Sequence, residues 1–216
     1  MSAKDIVLLP GIWMPGGEML YLRRRLETEH GFVGHLFSYA SVKGTLDENA
    51  RLLADFLSRR GLAGAHVVGH SLGGVVALRA LALAPELATG RIVCLGSPLC
   101  GSRAAHHLSE RDWGRRILGH TLTEGVLKQA ADEWANGVTS AREIAAIAGT
   151  RPMGMGRLFA SFDGANDGTV SVAETQLPGL RDHLCLPVSH TGMVLSRDVA
   201  DQAAAFLLRG EFLREE

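Results

Sequence analysis

The chain has 216 residues, 46% of them hydrophobic and 21% charged, a balance that fits a soluble α/β domain long enough to bury a continuous core. Its 22 Lys and Arg offset 23 Asp and Glu, which excludes the cationic field that nucleic acid or an anionic membrane would select. No segment approaches the length of a membrane span, and the three cysteines (Cys94, Cys100 and Cys185) lack metal-ligand spacing and predict reduced thiols.

Met1-Ser2-Ala3-Lys4-Asp5 leads directly into Ile6-Val7-Leu8-Leu9. That run is too short for a signal-peptide core and has no cleavage site behind it, so the expected location is cytoplasmic. Residues 6–9 read as a first strand, followed by a Gly/Pro-rich loop over 10–17, a helix over 18–28 and a second strand over 33–37. Thr45-Leu46-Asp47-Glu48 is a capping box, in which hydroxyl and carboxylate satisfy free backbone donors at a helix start. Ala50, Leu53 and Leu57 then recur on one face until Gly61.

Residues 65–68 form a short β-rich run that passes through Gly69-His70-Ser71-Leu72-Gly73 into a helical stretch ending at Pro85. A further strand over 91–95 precedes a long connection, residues 101–142. In it Thr121-Leu122-Thr123-Glu124 reads as a second capping box, starting a helix with Val126, Leu127, Ala130 and Trp134 on one face. Strands over 143–148 and 182–188 and a helix over 198–209 complete the series. Sequential βα units with wholly apolar strands predict a mostly parallel sheet covered by helices on both faces, in a single α/β domain over 1–216 with 101–142 as a candidate cap.

The strand–GxSxG–helix order is the pattern of a nucleophile elbow. Chance supplies roughly 0.2 such pentapeptides in a chain this rich in glycine, so the flanking strand and helix carry the assignment. Gly69 and Gly73 lack the Cβ that would crowd a sharp turn at Ser71, and the turn leaves the Leu72 amide at a helix N-terminus facing a developing oxyanion.

A serine nucleophile needs a base, and the base an orienting acid. Among nine histidines, His190 alone follows the carboxyl end of the last strand, just before the terminal helix. His70 adjoins Ser71, but neighbours in an elbow point in different directions. The acid is expected between serine and histidine in chain order. Asp167, flanked by Asn166 and Gly168 in a tight-turn sequence, is the first choice, with Asp163 and then Asp182 as alternatives. Asp163, Asp167, Gly168, Val170 and Glu174 also fit several positions of an EF-hand loop, but Ala165 occupies a liganding position and a strand precedes the loop. The expectation is therefore no metal and no cofactor.

With Gly69-His70-Ser71-Leu72-Gly73-Gly74, Asn166-Asp167-Gly168-Thr169-Val170 and Ser189-His190-Thr191-Gly192-Met193 in hand, the chain resembles the α/β-hydrolase superfamily. It is most similar to small bacterial lipases and lipase-like esterases. Gly96-Ser97-Pro98-Leu99-Cys100-Gly101-Ser102 looks like the G-T-P-H-x-G-S run of many such lipases. Those proteins usually carry His-Gly after the first strand, where this chain has Pro10-Gly11. The resemblance implies a second oxyanion donor just beyond that glycine, the Ile12 amide, with Trp13 as the neighbouring alternative.

The resemblance further implies a serine hydrolase acting on a small-molecule carboxylic ester through an acyl-serine. An acyltransferase or thioesterase with the same triad, or a non-catalytic binding protein on the same fold, are the alternatives. Trp13, Met14 and Met193 flank the site in sequence and suggest an apolar acyl pocket, which the helix bearing Trp134 would cover.

Overall fold

The structure is a computed structural model, and it describes residues 4–87, 89–109, 119–128, 130–153 and 164–214. Six strands, β1 (Asp5–Leu9), β2 (Val33–Leu36), β3 (His66–His70), β4 (Ile92–Leu95), β5 (Ile144–Gly149) and β6 (Asp182–Leu186), form one parallel sheet of order β2-β1-β3-β4-β5-β6. The order reverses between β1 and β3. Such a reversal opens a crevice beyond the carboxyl ends of those strands. Pro10–Trp13 and Ser71 are the residues that follow them.

Alternating side chains divide the sheet between two cores, as the two-residue period of a strand requires. Ile6, Leu8, Val68, Val93, Leu95, Ala145 and Ile147 face α1 (Leu20–His30) and α7 (Arg197–Arg209), which bring Leu22, Leu26, Ala203 and Phe206. Val7, Leu9, Val67, Ile92, Cys94, Ile144 and Ala146 face α2 (Leu46–Arg59) and α3 (Leu72–Leu83), which bring Leu53, Leu57, Val75 and Leu78. Full burial of one such aliphatic side chain contributes roughly 1.5–3 kcal/mol, against about 0–1 kcal/mol for an exposed ion pair. The two apolar layers, rather than peripheral pairs such as Arg23–Glu27, hold helices to sheet.

Several predicted boundaries move by one or two residues. A 3₁₀ turn over Gly17–Met19 precedes α1, and Gly31 closes that helix in the left-handed region. β6 stops before Pro187, which has no N–H to extend the ladder. Ser196 accepts from Val199 N–H and starts α7 one residue early. The Thr45 capping box forms in both directions, at 3.1 and 2.9 Å.

The second capping box does not form. Residues 119–122 are already helical, and the Thr121 hydroxyl donates to the Gly44 carbonyl (2.6 Å) while accepting from Asn49 Nδ2 (2.8 Å). Glu124 instead accepts from Leu46 N–H, at the start of α2. Tertiary partners thus outcompete the local cap. After α4 (Arg103–Ser109), the expected continuous helix is a π-helical segment, Thr123–Lys128, an extended Ala130, and two short helices, α5 (Ala131–Trp134) and α6 (Asn136–Ala141). Of the residues expected on one apolar face, Val126 is in the core and Leu127 and Trp134 pack half-buried against it, whereas Ala130 lies outside that cluster. Among the described residues, no helix is long and apolar enough to cross a membrane.

Candidate active site

β3 ends at His70, and Ser71 adopts φ 53°, ψ −124°, a region that a side chain with a Cβ rarely occupies. Its amide donates to the Leu95 carbonyl at 2.8 Å, fixing the strained residue to the end of β4. A Cβ on Gly69 would stand 2.5 Å from the backbone of Gly74, and one on Gly73 would stand 2.6 Å from the Leu9 carbonyl oxygen. The two glycines are therefore required by close approach, as the spacing indicates. α3 begins at the next residue with no side-chain cap, so the Leu72 N–H is one of the free donors of a helix start.

Asp167 lies in the loop between β5 and β6 and is 1% exposed. Asn166 Oδ1 accepts from Gly168 N–H, shaping the turn. Asp167 Oδ1 accepts from the amides of Thr169 (2.8 Å) and Val170 (2.7 Å), leaving Oδ2 to accept from His190 Nδ1 at 2.7 Å. The His190 amide also donates to the Asp167 carbonyl, at 3.0 Å. With Nδ1 donating to a carboxylate, the unprotonated nitrogen of a neutral His190 is Nε2. The expected acid and base thus meet. The Ser71 hydroxyl has no hydrogen-bond partner among the described residues.

Asp182, the third candidate acid, stands at the opposite end of the sheet, where it accepts from Phe212 N–H and Arg214. Asp163 lies outside the described residues. The EF-hand reading loses its ligands to other partners, since Glu174 accepts from the amides of Arg103 and Ser171.

His70 is a contributor that sequence reasoning missed. Its side chain is wholly buried, its ring centroid lies 4.8 Å from that of His190, and Nε2 meets the His190 carbonyl oxygen at 3.0 Å. A carbonyl only accepts, so His70 carries its proton on Nε2 and donates. Burial, reinforced by the neighbouring charge of His190, pushes its pKa down to about 3. Unfolded, the group titrates near the ordinary value of about 6.5. Between those values the unfolded chain holds a proton that the folded chain lacks, so stability falls as pH drops through the window. The Tm of wild type is expected to fall more steeply from about pH 6.5 to about pH 4 than that of His70→Gln, whose amide can donate to the same carbonyl. Equal slopes would reject a buried neutral His70.

The loop after β1 approaches from the other side. A Cβ on Gly11 would lie 3.2 Å from Ser71 Cβ, 3.3 Å from His70 Nδ1 and 3.5 Å from Met14 Sδ, so Gly11 and Met14 border the serine. Trp13 N–H donates to Ser41 Oγ at 3.2 Å, whereas Ile12 N–H has no protein partner among the described residues. Of the two amides left open by the sequence, Ile12 is the unengaged one. The Trp13 side chain is 55% exposed.

Two expected pocket residues lie elsewhere. Met193 is fully buried in the core beneath Gly96 and Gly149, where it packs behind Asp167 rather than opening to a ligand. Trp134 sits under the Arg79 guanidinium (5.1 Å to the ring centroid) and lines a cavity of about 180 Å³ with Leu81, Ala82 and Pro85. Those residues mark the far end of α3, so the short helix packs on the sheet layer and does not cover Ser71.

A parallel sheet of this order, with a strained serine elbow at its switch point, is the architecture of an α/β-hydrolase. The chain matches the model of the alpha/beta hydrolase family over residues 6–212 and belongs to that family. No curated protein matches its sequence. Among solved structures, it is similar to the mature Bacillus licheniformis lipase BlEst2 (17% identity, TM-score 0.68, 89% of this chain and 87% of that one). It is also similar to the metagenomic carboxyl esterase MGS0156 (19%, 0.63, 89% and 66%). A third similar structure is carboxylesterase CesB from Bacillus subtilis (16%, 0.56, 97% and 85%). Identities this low carry the fold and leave the substrate to the site.

Proposed function

We propose that the protein is a serine esterase that cleaves carboxylic esters through an acyl-serine, with Ser71 as nucleophile, His190 as base and Asp167 as orienting acid. The observation that carries this reading is the buried Asp167–His190 hydrogen bond, formed at the same sheet end as the strained Ser71. Ser71 Oγ bonds to the ester carbonyl carbon as its proton passes to His190 Nε2, and the carbonyl oxygen becomes an oxyanion facing the Ile12 and Leu72 amides. Collapse breaks the bond to the alcohol, which leaves with the proton from His190. Water then gives a proton to His190 and its oxygen to the acyl carbon, and collapse frees the acid and returns the proton to Ser71. Base–nucleophile hydrogen bonds commonly tighten only when substrate is bound, so the lone Ser71 hydroxyl is compatible with this role.

A fluorophosphonate should add once, at Ser71, as read by peptide mass spectrometry. Hydrolysis of nitrophenyl esters with an added alcohol or amine then tests water as the acceptor. Free acid as the main product supports an esterase, and acyl transfer as the main product supports the acyltransferase alternative. An absence of labelling and turnover would leave a binding protein.

Trp134→Ala separates packing from substrate selection. The substitution should cost about 1–3 kcal/mol of stability, because it removes the ring beneath Arg79, which keeps its pair with Asp47, and part of the α3 packing. The dependence of kcat/KM on acyl chain length should stay that of wild type. A changed length profile would return Trp134 to the pocket.

A further inference from the structure

We infer that Ser41 is a positioning residue for the oxyanion hole: its hydroxyl holds the Trp13 amide, and with it a left-handed turn that leaves the Ile12 N–H beside Ser71. This rests on the esterase reading above and on 10–13 as the oxyanion loop. Among the described residues only two non-glycines have positive φ, Ser71 (53°) and Trp13 (61°), and both border the same site. An aromatic residue in that region persists only where its surroundings over-determine it.

The surroundings come from the segment that follows β2. Tyr39 OH donates to the Pro10 carbonyl (2.9 Å), Ser38 Oγ donates to the Pro15 carbonyl (3.0 Å), and Ser41 Oγ accepts from Trp13 N–H (3.2 Å). The loop is thus held at both ends and in the middle. Burial, with a smaller contribution from the charge of Glu18, raises the Tyr39 hydroxyl well above the usual phenol range, so it stays a donor. The brace is itself anchored. Tyr39 stacks on Phe37, Ser41 N–H donates to the Tyr39 carbonyl, and Asn49 of α2 donates to the Ala40 carbonyl.

Ser41 is buried and is the only group in this brace that takes a loop N–H rather than a loop carbonyl. The Trp13 amide is the next along the chain from the Ile12 amide. Without its acceptor the Trp13 N–H must find another partner, and the peptide planes on either side turn with it. Preorganised donors act by standing where charge develops, and a misplacement of about 1 Å can cost on the order of 10²-fold.

The test uses Ser41→Ala and Ser41→Thr, with kcat and KM for a nitrophenyl butyrate, the inhibition constant of an alkyl trifluoromethyl ketone, and Tm. The ketone becomes an oxyanion once Ser71 adds to it, so it reads the hole, whereas KM reads ground-state binding. Ser41→Ala should lower kcat about 10- to 100-fold, leave KM nearly unchanged and weaken the ketone by the same factor. Ser41→Thr, which keeps the acceptor, should restore most of both. If the alanine variant does not fold, Ser41→Cys keeps the shape with a weak acceptor and should lose kcat and ketone affinity together. Wild-type kcat in Ser41→Ala or Ser41→Cys, or a kcat loss without loss of ketone affinity, overturns the inference. A wild-type protein that neither hydrolyses the ester nor binds the ketone overturns the esterase reading and this inference with it.

Discussion

Ser71→Ala is expected to lower kcat for nitrophenyl esters by about 10⁵- to 10⁶-fold, the scale on which removal of a nucleophile disables a triad. It should also abolish labelling by a fluorophosphonate. The loss should come without unfolding, because the elbow is shaped by the close approach at Gly69 and Gly73 and by the Ser71 amide on Leu95. None of these involves the hydroxyl. Alanine meets the same backbone strain as serine at φ 53°, so the strain term cancels in the comparison. Residual turnover above the uncatalysed rate is still expected, from the backbone donors and from binding. Turnover near wild type, or continued labelling of the variant, would remove Ser71 from the mechanism.

Asp167→Asn is expected to reduce kcat by about 10⁴-fold with little change in Tm. The size of the effect follows from which oxygen is held. Oδ1 accepts from two backbone amides, so asparagine keeps its carbonyl oxygen there and presents its NH₂ to His190. That group only donates. His190 must then accept on Nδ1 and carry its proton on Nε2, the atom that has to receive the Ser71 proton. Flipping the amide would restore the tautomer only by setting NH₂ against the Thr169 and Val170 amides. Asp163→Asn is the control and should be mild. If the two effects were reversed, Asp163 would be the acid.

The elbow is legible in the sequence because glycine spacing reports backbone crowding directly, and the Thr45 capping box because both partners lie within one turn. The order of strands and helices is legible for the same local reasons. Other features depend on which distant group arrives. Thr121 and Glu124 have the spacing of a cap, but Gly44, Asn49 and Leu46 claim them. Trp134 packs against the core from a four-residue helix rather than from the continuous face that periodicity suggests, and periodicity does not say which end of α3 it meets. Met193 sits three residues after His190 and still belongs to the core, since a short 3₁₀ turn, Thr191–Leu195, carries it inward. Ser41 has no sequence signal, because a lone serine after a strand is ordinary loop composition. Only the left-handed Trp13 beside it draws attention. His70 is visible in the motif, but its bond to the His190 carbonyl joins residues 120 positions apart.

On the esterase reading, the nucleophile and its base fall on opposite halves of the chain, Ser71 after the third strand and His190 after the sixth. During synthesis from the amino end at roughly 5–20 residues per second, β1 to β4 and the elbow leave the ribosome first. The nascent chain then carries Ser71 without His190, and the bond from Asp167 to His190 cannot close until the chain beyond β6 has been made. On that reading chemical competence arrives last, as a sign that the sheet is complete, and chains that stall before β6 lack the base proposed for Ser71.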